Sequence, residues 1–349
     1  MSGLTLTPRR NVTGLHSAAA LAGGLAFGLA VSFVLLLANG IAVQEVIDEF
    51  VSFVFFSDAG LASVAVEATP LVLAGLAGAV ALKVRFWNIG IEGQLWLGAV
   101  GATAVALYDI GPEWLRLPLM AAGAMAGGAL WIALPGLFRM RFGVSEIIST
   151  LLLNYVALLL VQHLVFGAWK DPQQNFPYTA GFDPAEQLAR LGWGKTHAGL
   201  VIALVAVLAV WLIAERSRWG AYMRAVGANR DVARATGVPV LATVVLAIAL
   251  SGALAGLAGF SVAAGEEHRL TQHLGVGYGF SGILIAFLAR FRAFGVLIAA
   301  VLVAELYVAG ESLQQFYQLP AALIELIQAI ILFSVVGAEF FARYRLHRG

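Results

Sequence analysis

Residues 241–264 read LATVVLAIALSGALAGLAGFSVAA, a stretch of 24 residues without a charged side chain. About 20 predominantly apolar residues suffice for a helix to cross the hydrocarbon core of a membrane. The whole chain agrees, because 60% of its 349 residues are hydrophobic, 12% are charged and the mean hydropathy is +0.88. Soluble domains carry roughly 25% charged residues. The sequence therefore predicts an all-α polytopic membrane protein.

Nine further apolar runs accompany this one, which predicts about ten transmembrane helices in a single transmembrane domain, residues 1–349. The ten runs are 16–38, 63–82, 93–107, 117–138, 147–166, 198–214, 241–264, 275–289, 294–309 and 320–336. The first run is longer than the core of a cleavable signal peptide, so we interpret it as a retained span. The net charge of +1 argues against a nucleic-acid partner, and the lack of cysteine excludes disulfides and thiolate metal sites.

The distribution of basic residues predicts the orientation. If both termini are cytoplasmic, 16 of the 21 Lys and Arg residues fall on inner segments, and cytoplasmic loops of membrane proteins collect these residues. The inner loop 215–240 is the most basic stretch, and its residues 231–236 predict a short helix that ends at Gly237. The outer loop 168–196 contains three prolines and several aromatic residues, and we expect it to form a cap.

An internal repeat is indicated by the pentapeptide AGLAG, which occurs at residues 74–78 and again at 255–259. The predicted orientation makes the first copy run inward and the second outward. A glycine-punctuated polar stretch and then an apolar run follow each copy. We therefore predict two units of inverted topology, residues 63–167 and 241–337, as many transporters have.

Polar side chains inside the predicted spans are the candidates for a substrate path, because each needs a partner or a water-filled cavity. In residues 88–94, NIGIEGQ, two glycines break a helix and free backbone groups, while Asn, Glu and Gln can bind a neutral substrate. The alternative is a turn held by its own side chains, or hydrogen bonding between helices. The candidates are Asn88, Glu92, Gln94, Trp96, Asn154, Tyr155, Phe280, Glu305, Glu325 and Gln328.

Four segments carry a resemblance to a known family. They are FWNIGIEGQLWLGA (86–99), LLLNYVALLLVQHLVFGAWKDP (151–172), GANRDVARATGV (227–238) and GYGFSGILIAFLAR (277–290). Together they resemble the permease subunits of nucleoside-type ABC importers, within the wider group that serves ribose and branched-chain amino acids. The long outer loop resembles that of the larger of two paired permeases. Trp87 and Arg290 depart from the family pattern.

The resemblance implies a transport subunit without catalytic residues, metal or cofactor of its own, in the bacterial inner membrane. Its implied partners are a second, smaller permease, a cytoplasmic ABC ATPase that holds ATP and Mg²⁺, and an extracytoplasmic lipoprotein that delivers nucleoside. The inner loop resembles the coupling helix that docks on the ATPase. The residues on that motif are Gly227, Asn229, Arg230, Ala233, Arg234, Ala235 and Gly237.

Three alternatives stay open at this point. One is a permease for a simple sugar or a branched-chain amino acid. Another is a secondary transporter in which Glu305 or Glu325 carries protons. An intramembrane enzyme is disfavoured, because the sequence has no paired His or Asp constellation and its six histidines are scattered and mostly near loops.

Overall fold

The computed structural model describes residues 4–8 and 14–348, and these are mainly helical. The α-helices are α1 Gly14–Ala38, α2 Val43–Ile47, α3 Val54–Phe56, α4 Asp58–Lys83, α5 Ile91–Leu107, α6 Arg116–Phe142, α7 Glu146–Phe166, α8 Gly199–Trp211, α9 Arg218–Ala228, α10 Arg230–Ala235, α11 Val240–Val262, α12 Tyr278–Leu288, α13 Ala293–Tyr317 and α14 Ala321–Arg343. Two short strands, β1 Leu4–Pro8 and β2 Tyr344–Arg348, pair antiparallel. Arg9 and Arg10, which support the predicted orientation, lie outside the described residues.

The prediction of about ten apolar helices is confirmed. Seven described helices are long and apolar enough to cross a membrane, and three shorter apolar helices accompany them. Each of the ten overlaps one predicted run. The largest difference is at α13, which continues to Tyr317. Glu and Gln in the sequence GESLQQFY favour that continuation. Helix α12 begins only at Tyr278, because Gly275 and Gly277 adopt φ of +63° and +93°.

The helical segment that connects α1 to α4 was not expected from the sequence. It consists of α2, a π-helical turn at Asp48–Phe53 and α3. Glu45 accepts a hydrogen bond from the Ala42 backbone N–H at 2.9 Å, so this acidic residue caps the start of α2 instead of belonging to a loop. Val46 and Val54 are buried, which gives the segment an apolar side.

The described chain divides into two compact units, one formed by residues 62–304 and the other by residues 1–61 with 305–349. In the first unit, α5 and α11 pack so closely that a Cβ at Gly98 would lie 2.3 Å from Gly256 Cα. In the second unit, α1 contacts α14, where a Cβ at Gly28 would lie 2.8 Å from Ile331 Cα. Small residues permit such close approach of apolar helices.

Candidate functional site

The non-helical segment between α4 and α5 is closed by a pair of amide side chains. Asn88 Nδ2 donates to Gln94 Oε1 at 2.9 Å, and Gln94 Nε2 donates back to Asn88 Oδ1 at 2.8 Å. Asn88 Nδ2 also donates to Ser251 Oγ at 3.1 Å, and this hydroxyl donates to the Ala77 carbonyl at 2.7 Å. All three polar side chains are buried. The network therefore fastens the segment to α4 and α11.

Helix α7 supplies partners for the backbone of the same segment. Thr150 Oγ1 accepts from the Ile89 N–H at 3.2 Å. Asn154 Nδ2 donates to the Ile89 carbonyl, and Asn154 Oδ1 accepts from the Gly93 N–H, both at 2.9 Å. Backbone groups freed by a broken helix must find partners inside the protein at membrane depth. These contacts explain why α7 carries a buried asparagine.

Glu92, at the start of α5, lies against the N-terminal end of α12. Its Oε1 accepts from the Gly277 N–H at 2.6 Å and its Oε2 from the Gly279 N–H at 2.7 Å. A carboxylate is stabilised there, because the first N–H groups of a helix have no partner within it and carry partial positive charge. The approach is so close that a Cβ at Gly279 would lie 2.2 Å from the Glu92 backbone nitrogen. Glu92 thus joins α5 to α12.

The aromatic candidates differ in their surroundings. Trp96 is buried, and its Nε1 donates to the Leu274 carbonyl at 2.8 Å, so it is held by the protein itself. Tyr155 and Phe280 remain 62% and 45% exposed. Of the three candidate rings, Tyr155 and Phe280 therefore present free surface to a solute, to lipid or to a partner chain.

The remaining candidates belong to the unit formed by residues 1–61 and 305–349. Glu305 of α13 is half-buried, and Glu325 of α14 is exposed. Gln328, also on α14, is half-buried, and its Nε2 lies 3.0 Å from the position of a Cβ at Gly310. Seven of the ten candidates thus lie in residues 62–304, and these three lie in the other unit.

Within residues 62–304 the predicted polar cluster is a closed hydrogen-bond network. The side-chain nitrogens and oxygens of Asn88, Gln94 and Asn154 all have partners within the protein. A buried network that is fully satisfied rigidifies the fold. Sequence reasoning missed Thr150 and Ser251, although a hydroxyl inside an apolar run is a recognisable signal. That any of these side chains contacts a solute stays a prediction.

The basic inner loop folds as two short helices, α9 and α10. Asn229 separates them, and its Oδ1 accepts from the backbone N–H groups of Asp231 at 2.9 Å and Val232 at 3.1 Å, as an N-cap does. Gly237, with φ of +81°, follows the end of α10 in a left-handed conformation that favours glycine. The short helix predicted at residues 231–236 is therefore present at Arg230–Ala235.

One side of α10 faces its own chain and the other is open. Ala233 is only 2% exposed, whereas Val232 is 58% exposed and Arg234 and Ala235 are also exposed. A partner that docks on α10 therefore meets residues 232, 234 and 235. Ala233 does not belong to this open surface. Its small side chain allows α10 to lie close to the rest of the chain.

The loop rests on the segment that leads from α4 to Asn88. A Cβ at Gly227 would lie 2.2 Å from the Lys83 carbonyl oxygen. The Arg230 guanidinium donates to the Val84 carbonyl at 3.4 Å. Only a few residues separate Val84 from Asn88. The inner loop thus contacts the chain immediately before the closed network.

The outer loop 168–196 lies over residues 264–271, as expected for a cap. Thr179 N–H donates to the Leu270 carbonyl at 3.2 Å, and Phe182 N–H donates to the His268 carbonyl at 2.8 Å. At the end of this loop His197 is 1% exposed. Burial, together with nearby Arg190 and His268, lowers the pKa of His197 to about 4, so its ring is neutral at pH 7.

Each of the two AGLAG segments packs against the helix that follows the other segment in the chain. In the first, on α4, a Cβ at Gly78 would lie 3.1 Å from Ala286 Cβ of α12. In the second, on α11, a Cβ at Gly259 would lie 2.0 Å from the Leu95 carbonyl oxygen of α5. Each AGLAG helix therefore packs on the helix that follows the other copy. The two units of inverted topology, residues 63–167 and 241–337, stay a prediction.

Comparison with known proteins adds three kinds of match. The family model for the permease component of branched-chain amino acid transport systems matches residues 60–336. The chain is 38% identical to a glucose ABC transporter permease of Haloferax volcanii, covering 83% of this chain and 79% of the relative. It is 30% identical to a guanosine ABC transporter permease of Bacillus subtilis, covering 89% and 90%. A nucleoside ABC transporter permease of Lactococcus lactis is 29% identical, covering 76% of each chain.

Two solved structures share the fold. An inward-facing conformation of a putative metal-chelate type ABC transporter aligns with a TM-score of 0.50 at 18% identity, covering 93% of this chain and 99% of that one. PsaBC from Streptococcus pneumoniae aligns with a TM-score of 0.51 at 11% identity, covering 85% and 95%.

Proposed function

The chain belongs to the family of branched-chain amino acid transport system permease components, and on that premise we propose that it forms the membrane path for nucleosides in an ATP-driven importer. Members of such importers are multi-pass transport subunits rather than enzymes. They act with an ATPase and a substrate-binding partner. The observation that supports the mechanism is the contact of the inner loop with Lys83 and Val84, which immediately precede the closed network in the chain.

The contact suggests how energy passes from the ATPase to the membrane helices. The exposed residues of α10 dock on the ATPase, and ATP binding there shifts α9 and α10. Because Gly227 and Arg230 lie against the chain at Lys83 and Val84, the shift reaches α4 and the segment at Asn88. That segment is fastened to α7 and α11 by hydrogen bonds, so these helices move with it. The two inverted units then rock and open the path alternately to each side.

Support for a nucleoside substrate comes from the segment NIGIEGQ at residues 88–94 and from the guanosine and nucleoside permeases among the relatives. The exposed ring of Phe280 offers a face on which a planar base can stack. A simple sugar is the second candidate, because the relative with 38% identity is a glucose permease.

The proposal includes a second, smaller permease, an extracytoplasmic lipoprotein and a bacterial inner membrane, with ATP and Mg²⁺ held by the ATPase. We place both termini in the cytoplasm. The antiparallel pairing of β1 with β2 supports their lying on the same side, and the basic inner segments support the cytoplasmic side.

Uptake by cells that produce the full importer tests this proposal. Radiolabelled guanosine is expected to enter only when an active ATPase is present, and excess unlabelled glucose is expected not to compete. Competition by glucose, with guanosine uptake absent, would transfer the assignment to sugars. Uptake that continues without the ATPase and collapses with an uncoupler would show a proton-driven transporter and contradict the proposal.

A further inference from the structure

A cavity of about 950 Å³ opens where α4 ends and α13 begins, beside the end of α9. Five cationic side chains and one carboxylate line it: Lys83, Arg85, Arg224, Arg290, Arg292 and Glu215. A cleft lined by charges of one sign focuses its field and concentrates ions of the opposite sign. The volume is in the range of sites for small ligands.

The single carboxylate offsets only one of these cations, because it pairs with Lys83. Glu215 Oε1 lies 3.6 Å from Lys83 Nζ and accepts from the Ala293 backbone N–H at 2.8 Å. Arg85, Arg224 and Arg292 line the same space as further cations. The general preference for Arg and Lys in inner loops explains why basic residues occur in these segments. It does not explain why they converge on one concave surface, where like charges repel.

The backbone at the rim is strained. Arg85, Arg290 and Phe291 adopt φ of +53°, +51° and +61° and line the cavity. They are three of the six non-glycine residues with positive φ in the described part of the chain. Such conformations are unfavourable for residues with a side chain and concentrate at functional sites. Both strained arginines begin an Arg-Phe pair, at residues 85–86 and 290–291.

An aromatic wall completes the cavity. Trp87 is 43% exposed, and its ring centroid lies 5.7 Å from that of Phe287. Phe287 in turn lies 5.5 Å from Phe291, edge to face. Arginine forks bind phosphate oxygens in a bidentate manner, and exposed aromatic rings cover the apolar or planar part that a phosphate ester carries.

We propose that this cavity is a binding site for a phosphate ester. The arginines bind the phosphate and the aromatic wall contacts the rest of the molecule. The ester is either the headgroup of an anionic membrane lipid or a soluble phosphate compound, and basic pockets at the cytoplasmic ends of membrane helices suit the former. Because Gly227 and Ala228 also line the cavity, its occupant steadies the support of α10. This regulatory part rests on the proposed function.

Binding is tested on the full importer purified with its partners, without any transport step. Native mass spectrometry measures how much phosphatidylglycerol or phosphatidylcholine stays bound to the complex. Thermal-shift measurements with inorganic phosphate and with adenosine monophosphate test the soluble class. We expect retention of phosphatidylglycerol in preference to phosphatidylcholine, and a loss of at least about tenfold in the double variant Arg85→Gln, Arg292→Gln.

Two further variants separate binding from folding. Arg85→Gly removes a cation and also relieves the left-handed strain, so binding is expected to fall while the melting temperature does not. Arg141→Gln removes one exposed charge outside the cavity and is expected to leave binding unchanged. Binding of adenosine monophosphate or phosphate that the double variant loses, without lipid preference, would support the site and identify a soluble ligand.

The proposal is overturned if neither lipid nor soluble phosphate binds, or if Arg141→Gln weakens binding as much as Arg85→Gly. Because the measurement uses no transported solute, a failure to take up guanosine would count against the proposed function and leave this result standing.

Discussion

The closed network around Asn88 and helix α10 of the inner loop both carry polar residues. They differ in how far these regions are buried and paired within the protein. Around Asn88, amide, hydroxyl and backbone groups are buried and paired with one another. On α10, Val232, Arg234 and Ala235 are exposed. Paired polar groups stabilise the fold, whereas open surface is what a partner can bind. The comparison therefore assigns stability to the first region and supports the coupling role proposed for the second.

The largest expected effect is on the network. Asn88→Leu leaves Oε1 and Nε2 of Gln94 without their partners and removes a hydrogen bond to Ser251. We expect a loss of about 2–5 kcal/mol in the free energy of unfolding, because buried polar groups become unpaired. The melting temperature of the purified protein measures it, with Tyr155→Leu on exposed surface as the control. A variant of normal melting temperature that loses only uptake would make Asn88 a substrate ligand instead.

The two sides of α10 provide a matched pair of substitutions. Ala233→Leu adds volume where the side chain is buried and is expected to cost about 1–3 kcal/mol of stability. Ala235→Leu adds the same volume on the exposed side and is expected to leave the melting temperature unchanged while reducing uptake. Equal melting temperatures for both variants would contradict the orientation of α10.

His197 contrasts with the network around Asn88, because it is buried but not fully paired. Its Nε2 has no hydrogen-bond partner among the described residues. Its folded pKa of about 4 lies below the ordinary value of 6.5. Below pH 6.5 the unfolded chain therefore binds a proton that the folded protein does not, and stability falls as the pH drops.

Between pH 7 and pH 5 we expect wild-type protein to lose about 1–2 kcal/mol through this residue. His197→Asn, whose Oδ1 can replace Nδ1 as acceptor for the Gly199 N–H, is expected to lose less. Thermal unfolding at the two pH values makes the comparison. Equal losses in both proteins would show that folding does not lower the pKa of His197.

The smallest expected effect concerns the ion pair on α10. Arg234 Nη1 lies 3.4 Å from Asp231 Oδ1, with side chains 70% and 90% exposed. Exposed pairs contribute little, so Arg234→Ala is expected to change stability by less than about 0.5 kcal/mol. A drop in melting temperature comparable to that of Ala233→Leu would mean that the exposed side of α10 also holds the fold.

Local sequence was enough to predict the spans and the short helix of the inner loop. Hydrophobic length alone identifies a membrane helix, and Gly237 marks a helix end through its own backbone preference. The start of α12 was placed too early, because an apolar run does not reveal that Gly275 and Gly277 have left-handed backbone. The helical segment between α1 and α4, in which Glu45 caps α2, was not predicted.

The candidate site was predicted only in part. NIGIEGQ correctly indicated a broken helix with buried polar groups. Its partners Thr150 and Ser251 lie 61 and 163 residues away from Ile89 and Asn88 respectively, so only the tertiary fold brings them there. The buried side of α10 is likewise set by packing, since a helix of six residues is too short for periodicity to show which side is covered.

Val232→Asp tests the central claim most directly, because it places a charge on the open side of α10 without touching the network. The measurement is guanosine imported per ATP hydrolysed by the reconstituted importer, with Arg141→Gln as control. We predict that the variant folds with an unchanged melting temperature and imports at least about tenfold less guanosine per ATP, whereas the control resembles wild type. Wild-type import by Val232→Asp would contradict the assignment of coupling to α10.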